Sequence, residues 1–98
     1  MEFDGFDWDG GNSTKCQKHG VSIAVVEEQF RRGLTILPDS AHSQTEQRFR
    51  AIGRTAKGRA LFIVFTIRQS GGEVLIRPIS ARYMHKKEAD HYDETYET

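Results

Sequence analysis

Residues 48–82 read RFRAIGRTAKGRALFIVFTIRQSGGEVLIRPISAR and contain three strand-like runs separated by two short connections. From residue 60 to residue 67 the middle run is apolar at every position except Thr66. Such a run is typical of a strand that is buried on both faces. The connections TAKG and QSGG are turn-forming and short, which favours antiparallel hairpins. The segment therefore predicts an antiparallel meander with the middle run at its centre.

Two helices are predicted before the meander. Asn12 or Ser13 can cap a short helix after the breaker pair of glycines at 10 and 11, and Gly20 can end it in the left-handed conformation. Ser22 can cap a second helix that runs through Arg32. The nearby aromatic residues are expected to pack in the core, as is usual for a single tryptophan in a small domain; they are Phe3, Phe6 and Trp8.

The remaining elements complete the predicted fold. Residues 3–8 read as an edge strand, residues 34–38 (LTILP) as a short strand, and residues 39–47 as a polar surface loop. Residues 85–96 carry apolar side chains at helical spacing and predict a closing amphipathic helix. We expect one α+β domain over residues 1–98, in which helices pack on one face of a small antiparallel sheet.

The charges are segregated although the net charge is zero. Residues 48–87 contain ten Lys or Arg against one acid, a net charge of +9, while the two flanks carry −4 and −5. A basic segment of this kind attracts a polyanion locally even when the whole molecule is neutral. The alternative is a sheet face whose charges are solvated or ion-paired.

Three arginines of the first meander strand project from the same side because residues of equal parity share a face; they are Arg48, Arg50 and Arg54. Their spacing of about 7 Å for two residues suits successive phosphates of a single strand. The neighbouring strands add three more candidates, which are Arg68, Arg77 and Arg82. The pattern predicts an RNA-binding surface.

Several other classes are not expected. Cys16 cannot form an internal disulfide, the start is acidic, and no stretch of about 18 apolar residues is present. The sequence therefore predicts a soluble cytoplasmic protein without a membrane partner. The spacings of Cys16 with His19 and of His85 with His91 do not form a zinc pattern, and the glycine-rich turns lack a P-loop lysine. We expect no metal and no cofactor.

An ordered set of motifs resembles the BrnT family of toxins. From Phe6 to Tyr92 the set reads FDWD, KHGVS, PDxxHSxxExRxxAIGR, GRxLFIVFTxR and RxISAR, with Glu88 and Tyr92 following. The resemblance implies a RelE-like fold and a ribonuclease that arrests translation. It also implies inhibition by a BrnA-type antitoxin, whose ribbon-helix-helix domain dimerises and binds operator DNA, so that DNA is contacted only through the antitoxin. Pro78 and the short region after Trp8 depart from the family pattern, and Pro78 predicts an edge strand or a bulge.

Metal-independent RNA cleavage needs the 2′-hydroxyl deprotonated, the phosphorane stabilised and the leaving 5′-oxygen protonated. Arginine suits the second task, and Lys, His or a carboxylate can move protons. Our candidate catalytic residues are Lys18, His19, Glu46, Arg48 and Arg82, with His42 as a further proton-transfer candidate. The candidate RNA-binding residues are Arg50, Arg54, Arg68 and Arg77.

These residues leave the choice of a base open. His19 could instead satisfy a helix end, His42 could cap a turn, and Glu46 could simply pair with an arginine. The alternative function is a non-catalytic module that keeps the fold and binds an antitoxin or nucleic acid without cutting.

Overall fold

The computed structural model describes residues 2–39 and 46–96, with side chains described as far as residue 93. The five strands form one sheet in the order β1-β5-β4-β3-β2, so the middle run of the meander is central, as predicted. The α+β class is confirmed. In chain order the elements are β1 (Gly5–Phe6), α1 (Gly10–Gln17), α2 (Ile23–Arg32), β2 (Thr35–Pro38), β3 (Arg48–Arg54), β4 (Ala60–Ser70), β5 (Glu73–Tyr83) and α3 (Lys86–Tyr96).

The sheet is antiparallel except at one edge. β2, β3, β4 and β5 pair in antiparallel fashion, whereas β1 runs parallel to β5. The β4–β5 hairpin turns on Gly71 and Gly72, whose φ angles of 57° and 82° are those a two-residue turn of this kind needs. No hairpin fixes the direction of β1, because β1 and β5 lie at opposite ends of the chain. The turn signals in the sequence therefore could not predict that β1 pairs in parallel with β5.

The first helix begins earlier than predicted. Its N-cap is Asp9, whose Oδ1 accepts hydrogen bonds from the backbone N–H groups of Gly11 (2.9 Å) and Asn12 (3.0 Å). The prediction of Asn12 or Ser13 as the cap was wrong. Asp9 satisfies the exposed N–H groups of the first turn, so glycines 10 and 11 start the helix and do not break it. The predicted left-handed Gly20 is confirmed, with a φ of 82°.

The second helix has the caps that the sequence predicts. Ser22 accepts a hydrogen bond from the backbone N–H of Val25 at 3.2 Å, and Gly33 ends the helix. The short strand closed by Pro38 is also confirmed. Of the predicted loop, residues 40–45 lie outside the described residues, and so does His42. No helix within the described part of the chain is long and apolar enough to cross a membrane.

Pro78 lies at a β-bulge, as predicted. Ile79 is the extra residue of β5, because Val64 pairs with Ser80 and the next residue of β4 pairs with Pro78. The Pro78 carbonyl accepts a hydrogen bond of 2.8 Å from the Asn12 side chain. This bond attaches the start of α1 to the irregular part of β5.

The helices α1 and α2 pack on one face of the sheet, which we call the covered face. Phe65, at the centre of β4, contacts the rings of Phe30 and Phe49, with centroids 5.0 and 5.4 Å away. Trp8 packs against this core and donates a hydrogen bond of 2.8 Å to Glu27, which confirms its predicted core role. The buried cluster comprises Cys16, Val21, Val26, Phe30, Ala51, Leu61, Ile63, Phe65, Ile76 and Ala81.

Candidate nucleic-acid interface

The opposite side of the sheet carries the predicted arginines, and we call it the arginine face. Arg50 lies opposite Val64, and Ile52 lies opposite Phe62, which in turn lies opposite Arg82. Side chains of directly opposed residues project to the same side. The shared face of Arg48, Arg50 and Arg54 is therefore confirmed, and Arg82 of β5 lies on it as well.

The arginine face has two ends. Arg48 lies opposite Thr66 and Arg82 lies opposite Phe62, four residues away on β4, a separation of about 13 Å along the strands. Arg50 lies between these levels. The Cα atoms of Arg50 and Arg82 are roughly 12 Å apart, because the two residues lie on strands separated by β4 and are offset by two residues along the strands. Two extended arginine side chains can reach one phosphate across that gap.

At the first end, Glu46 bridges two arginines. Its carboxylate lies 3.7 Å from Nη2 of Arg48 and 3.2 Å from Nη2 of Arg68. Beneath them the buried Thr66 hydroxyl donates a hydrogen bond of 2.7 Å to the Gln47 carbonyl, which holds the start of β3 against β4. The structure thus brings the predicted site residues Glu46, Arg48 and Arg68 together. The pairing of Glu46 with an arginine, which was the alternative to a catalytic role, is present in the structure.

At the other end, Arg82 is held by Glu88 of α3. Nη1 and Nη2 of Arg82 donate to Oε1 and Oε2 of Glu88 over 2.7 and 2.8 Å, and the guanidinium lies 4.6 Å from the centre of the Phe62 ring. The hydrogen bond to Arg82 lowers the pKa of Glu88, and the same bond raises the pKa of Arg82. The pair is bidentate, a geometry that fixes both the position and the orientation of the guanidinium.

Arg54 also contacts α3. Its Nη2 forms an ion pair with Asp93, and its Nη1 donates a hydrogen bond of 3.1 Å to the Gly58 carbonyl. A cavity of about 160 Å³ separates this part of α3 from the sheet. The cavity is lined mainly by apolar side chains, which include Ile52, Ala60, Met84 and Ala89. The closing helix therefore lies over one end of the arginine face and brings acidic groups to that end, so the prediction that the helices pack on one face was wrong for α3.

Arg77 is turned toward the N-terminal region. It lies 3.5 Å from the carboxylate of Asp7 and 2.9 Å from that of Asp9, and its side chain is only 21% exposed. The pKa of Asp9 is lowered, first by the backbone N–H of Asn12 and then by the hydrogen bond from Arg77. These contacts join β5 to the cap of α1, so this arginine is engaged in the fold.

Arg50 differs from the other predicted arginines. Within the described residues, each of the other five has a carboxylate partner, whereas Arg50 has none. Its Nη2 donates only a long hydrogen bond of 3.4 Å to the Pro38 carbonyl, and its Nε is buried without a hydrogen-bond partner in that part of the chain. Among the described residues, Arg50 is therefore the predicted arginine whose terminal nitrogens are not held by a carboxylate.

Lys18 and His19 do not join the arginines. Both are exposed in the turn after α1, a helix of the covered face, and no hydrogen bond or ion pair within the described residues connects them to the arginine face. The helix before them does pack against β5, the strand that carries Arg82. Cys16 is fully buried, and burial raises its pKa to about 11, which keeps its thiol protonated and unreactive.

Sequence reasoning missed the acidic partners of the face, which are Asp7, Asp9, Glu88 and Asp93. The signal that could have found them is the charge segregation itself, because acidic flanks beside a basic meander favour contacts between the two. Ion pairing was the alternative reading of that pattern. The structure shows that most of the predicted arginines share a face and are ion-paired on it.

We expect Arg50→Gln to weaken RNA binding similarly for all sequences. Losing one phosphate contact lowers the slope of log K against log salt by about 0.7 for a single strand. Fluorescence anisotropy with labelled RNA at several salt concentrations measures both quantities. Lys15→Gln removes one charge from the exposed side of α1 and is the matched control. An unchanged slope for Arg50→Gln would show that Arg50 does not contact phosphate.

The sequence of this chain matches one known protein family. Residues 8–88 match the model of the ribonuclease toxin BrnT of type II toxin–antitoxin systems. The chain belongs to the BrnT family. A comparison with curated proteins gives no significant match.

The BrnT match covers both ends of the arginine face. It includes Arg48, Arg50 and Arg54 of β3, and it extends through Arg82 to Glu88. Membership makes RNA the substrate class and an antitoxin the partner class of this protein. Within the described residues, no group of three or more His, Cys, Asp or Glu side chains could hold a metal ion.

Proposed function

We propose that this BrnT-family toxin is a metal-independent endoribonuclease that arrests translation in the cytoplasm. The observation that carries the proposal is the placement of Arg50, Arg54 and Arg82 around Phe62 and Val64 of β4 on one side of the sheet, which α3 covers at one end. Two helices on one face of an antiparallel meander also support the RelE-like class that the resemblance implies.

In the proposed reaction, a 2′-hydroxyl attacks the adjacent phosphorus and the 5′-oxygen leaves, which produces a 2′,3′-cyclic phosphate and a 5′-hydroxyl. Arg82 and Arg50 bind the non-bridging oxygens of the scissile phosphate and stabilise the charge of the phosphorane. Arg48 and Arg68 bind a phosphate further along the strand, beside Glu46. The aromatic ring of Phe62 lies at the level of Arg82 and packs against its guanidinium.

Position limits the choice of the proton-transfer groups. Glu46 contacts Arg48 and Arg68, more than 13 Å along the strands from the level of Arg82 by the ~3.3 Å rise per residue, so it does not serve the same phosphate. Lys18 and His19 follow a helix of the covered face, on the side of the sheet opposite to Arg82, so the choice of a proton-transfer group at this phosphate stays open. Positioned side chains in this role contribute about 10²–10⁴-fold to a rate.

A BrnA-like antitoxin with a ribbon-helix-helix domain is the proposed inhibitor, and operator DNA is contacted only through that domain. A carboxylate-bearing segment that covers the arginine face would occupy the phosphate sites and exclude RNA directly. The exposed side of α3 is the other available surface. Its acidic residues make it less favourable for an acidic segment, because like charges repel.

Arg50→Gln is expected to weaken antitoxin binding about tenfold, because an interfacial charge contact is lost. His91→Ala, on the exposed side of α3, is expected to leave the affinity unchanged. Calorimetric titration of each variant with the antitoxin measures both affinities. If His91→Ala weakens binding and Arg50→Gln does not, the antitoxin docks on α3 and inhibition does not cover the arginine face.

A further inference from the structure

The contact between Arg82 and Glu88 orients one particular edge of the guanidinium group. The Glu88 carboxylate accepts one hydrogen bond from each terminal nitrogen of Arg82. The guanidinium carbon lies 4.6 Å from the centre of the Phe62 ring. Arginine has five N–H donors, so three remain after this pairing. The Arg82 side chain is 41% exposed, so part of it remains open to a ligand.

Binding a phosphate fixes the side chain of an arginine, and the conformational entropy lost in that step opposes binding. Here the carboxylate of Glu88 and the ring of Phe62 fix the guanidinium before RNA arrives. Preorganised donors stabilise a transition state better than donors that must be ordered during the reaction. The free Nε edge is then available in a defined direction.

We propose that Glu88 is a positioning residue for RNA cleavage, which holds the Arg82 guanidinium so that its free edge faces the scissile phosphate. The inference rests on the proposed function, since it assumes that Arg82 stabilises the phosphorane. Glu88 itself does not contact the substrate.

Two other roles predict different results. Glu88 is the third residue of α3, where a carboxylate can stabilise the helix start, and the backbone N–H of His85 contributes to its lowered pKa. A purely structural role would be kept by glutamine, which can also accept that bond. A competitor role, in which Glu88 blocks phosphate from Arg82, would make its removal increase activity.

The test compares Glu88→Gln with Asp90→Asn in purified protein. Asp90 lies on the same helix and pairs with Lys86 at 2.7 Å, so its substitution makes the same change in charge away from the arginines. Glu88→Gln is expected to lower kcat by about 10- to 10²-fold, as misplacement of a catalytic group does, with KM unchanged or lower. Asp90→Asn is expected to keep the wild-type kcat, and a kcat for Glu88→Gln equal to that of Asp90→Asn would overturn the proposal.

Two further measurements separate this inference from the proposed function. In an Arg82→Ala background, Glu88→Gln is expected to cause no further loss, because the two residues act as a unit. Nitrogen-15 relaxation of the Arg82 Nε–H group reports its mobility without any activity assay. We expect a rigid group in the wild type and a mobile one in Glu88→Gln; equal mobility in the two proteins overturns the positioning role even if the protein cuts no RNA.

Discussion

Arg82→Ala is expected to lower the rate of RNA cleavage by about 10²–10³-fold, the typical loss when one transition-state donor to a developing anion is removed. Arg82 lies on the arginine face opposite Phe62, and its guanidinium is already oriented by Glu88 at 2.7 and 2.8 Å. Lysine supplies charge without the planar fork, so Arg82→Lys should recover only part of the activity.

The matched control for this prediction is Arg59→Ala. Arg59 also stacks on an aromatic ring, 3.5 Å from the centre of Tyr83, but it lies in the turn between β3 and β4. Initial cleavage rates of a defined RNA, with folding checked by thermal melting, give the comparison. Growth arrest should follow the same order when the variants are expressed at equal abundance. Equal activity and equal toxicity of Arg82→Ala and wild type would show that Arg82 does not stabilise the transition state, whereas no cleavage by either protein would favour the non-catalytic binding module.

Phe65→Ala is expected to reduce the free energy of unfolding by about 3–5 kcal/mol, since a buried ring is lost and a cavity remains. Phe65 is fully buried at the centre of the core and touches Phe30 of α2 and Phe49 of β3. For a domain of this size each kcal/mol lowers Tm by about 4–8 °C. The variant should therefore melt at least ~12 °C below the wild type.

Phe62→Ala is the control, because Phe62 lies three residues away on the same strand and projects to the arginine face. It is only partly buried, so its truncation should cost about 1 kcal/mol. Urea unfolding followed by circular dichroism measures both differences. Equal losses for the two variants would contradict the assignment of the core to the covered face.

The parts of the fold that follow from local rules were predictable. The alternation of a strand fixed Arg48, Arg50 and Arg54 on one face, and the apolar middle run identified β4 as central. Asp9 was missed as a cap because several capping residues follow one another there, and local sequence does not rank them. Gly53 shows a different limit: a Cβ at this position would lie 2.6 Å from the Gln29 side chain, a contact that only the packed structure reveals.

The arginines of the candidate site could be predicted from the sequence, but their arrangement and partners could be predicted only in part. Residue parity placed the arginines on one face, but the placement of α3 against the sheet decides that Arg82 contacts Glu88 and that Arg54 contacts Asp93. No local pattern encodes that placement. For the same reason the sequence could not show that Glu46 lies at the opposite end of the face from Arg82. The proton-transfer roles of Lys18 and His19 remain predictions.

The most direct test of the central claim is cleavage of a defined RNA by purified, antitoxin-free protein in the presence of EDTA, with analysis of the product ends. The proposed chemistry predicts that cleavage continues in EDTA, yields 2′,3′-cyclic phosphate and 5′-hydroxyl ends, and falls about 10²–10³-fold in Arg82→Ala. Cleavage that requires added Mg²⁺, products that carry 5′-phosphates, or intact RNA in every reaction would contradict it.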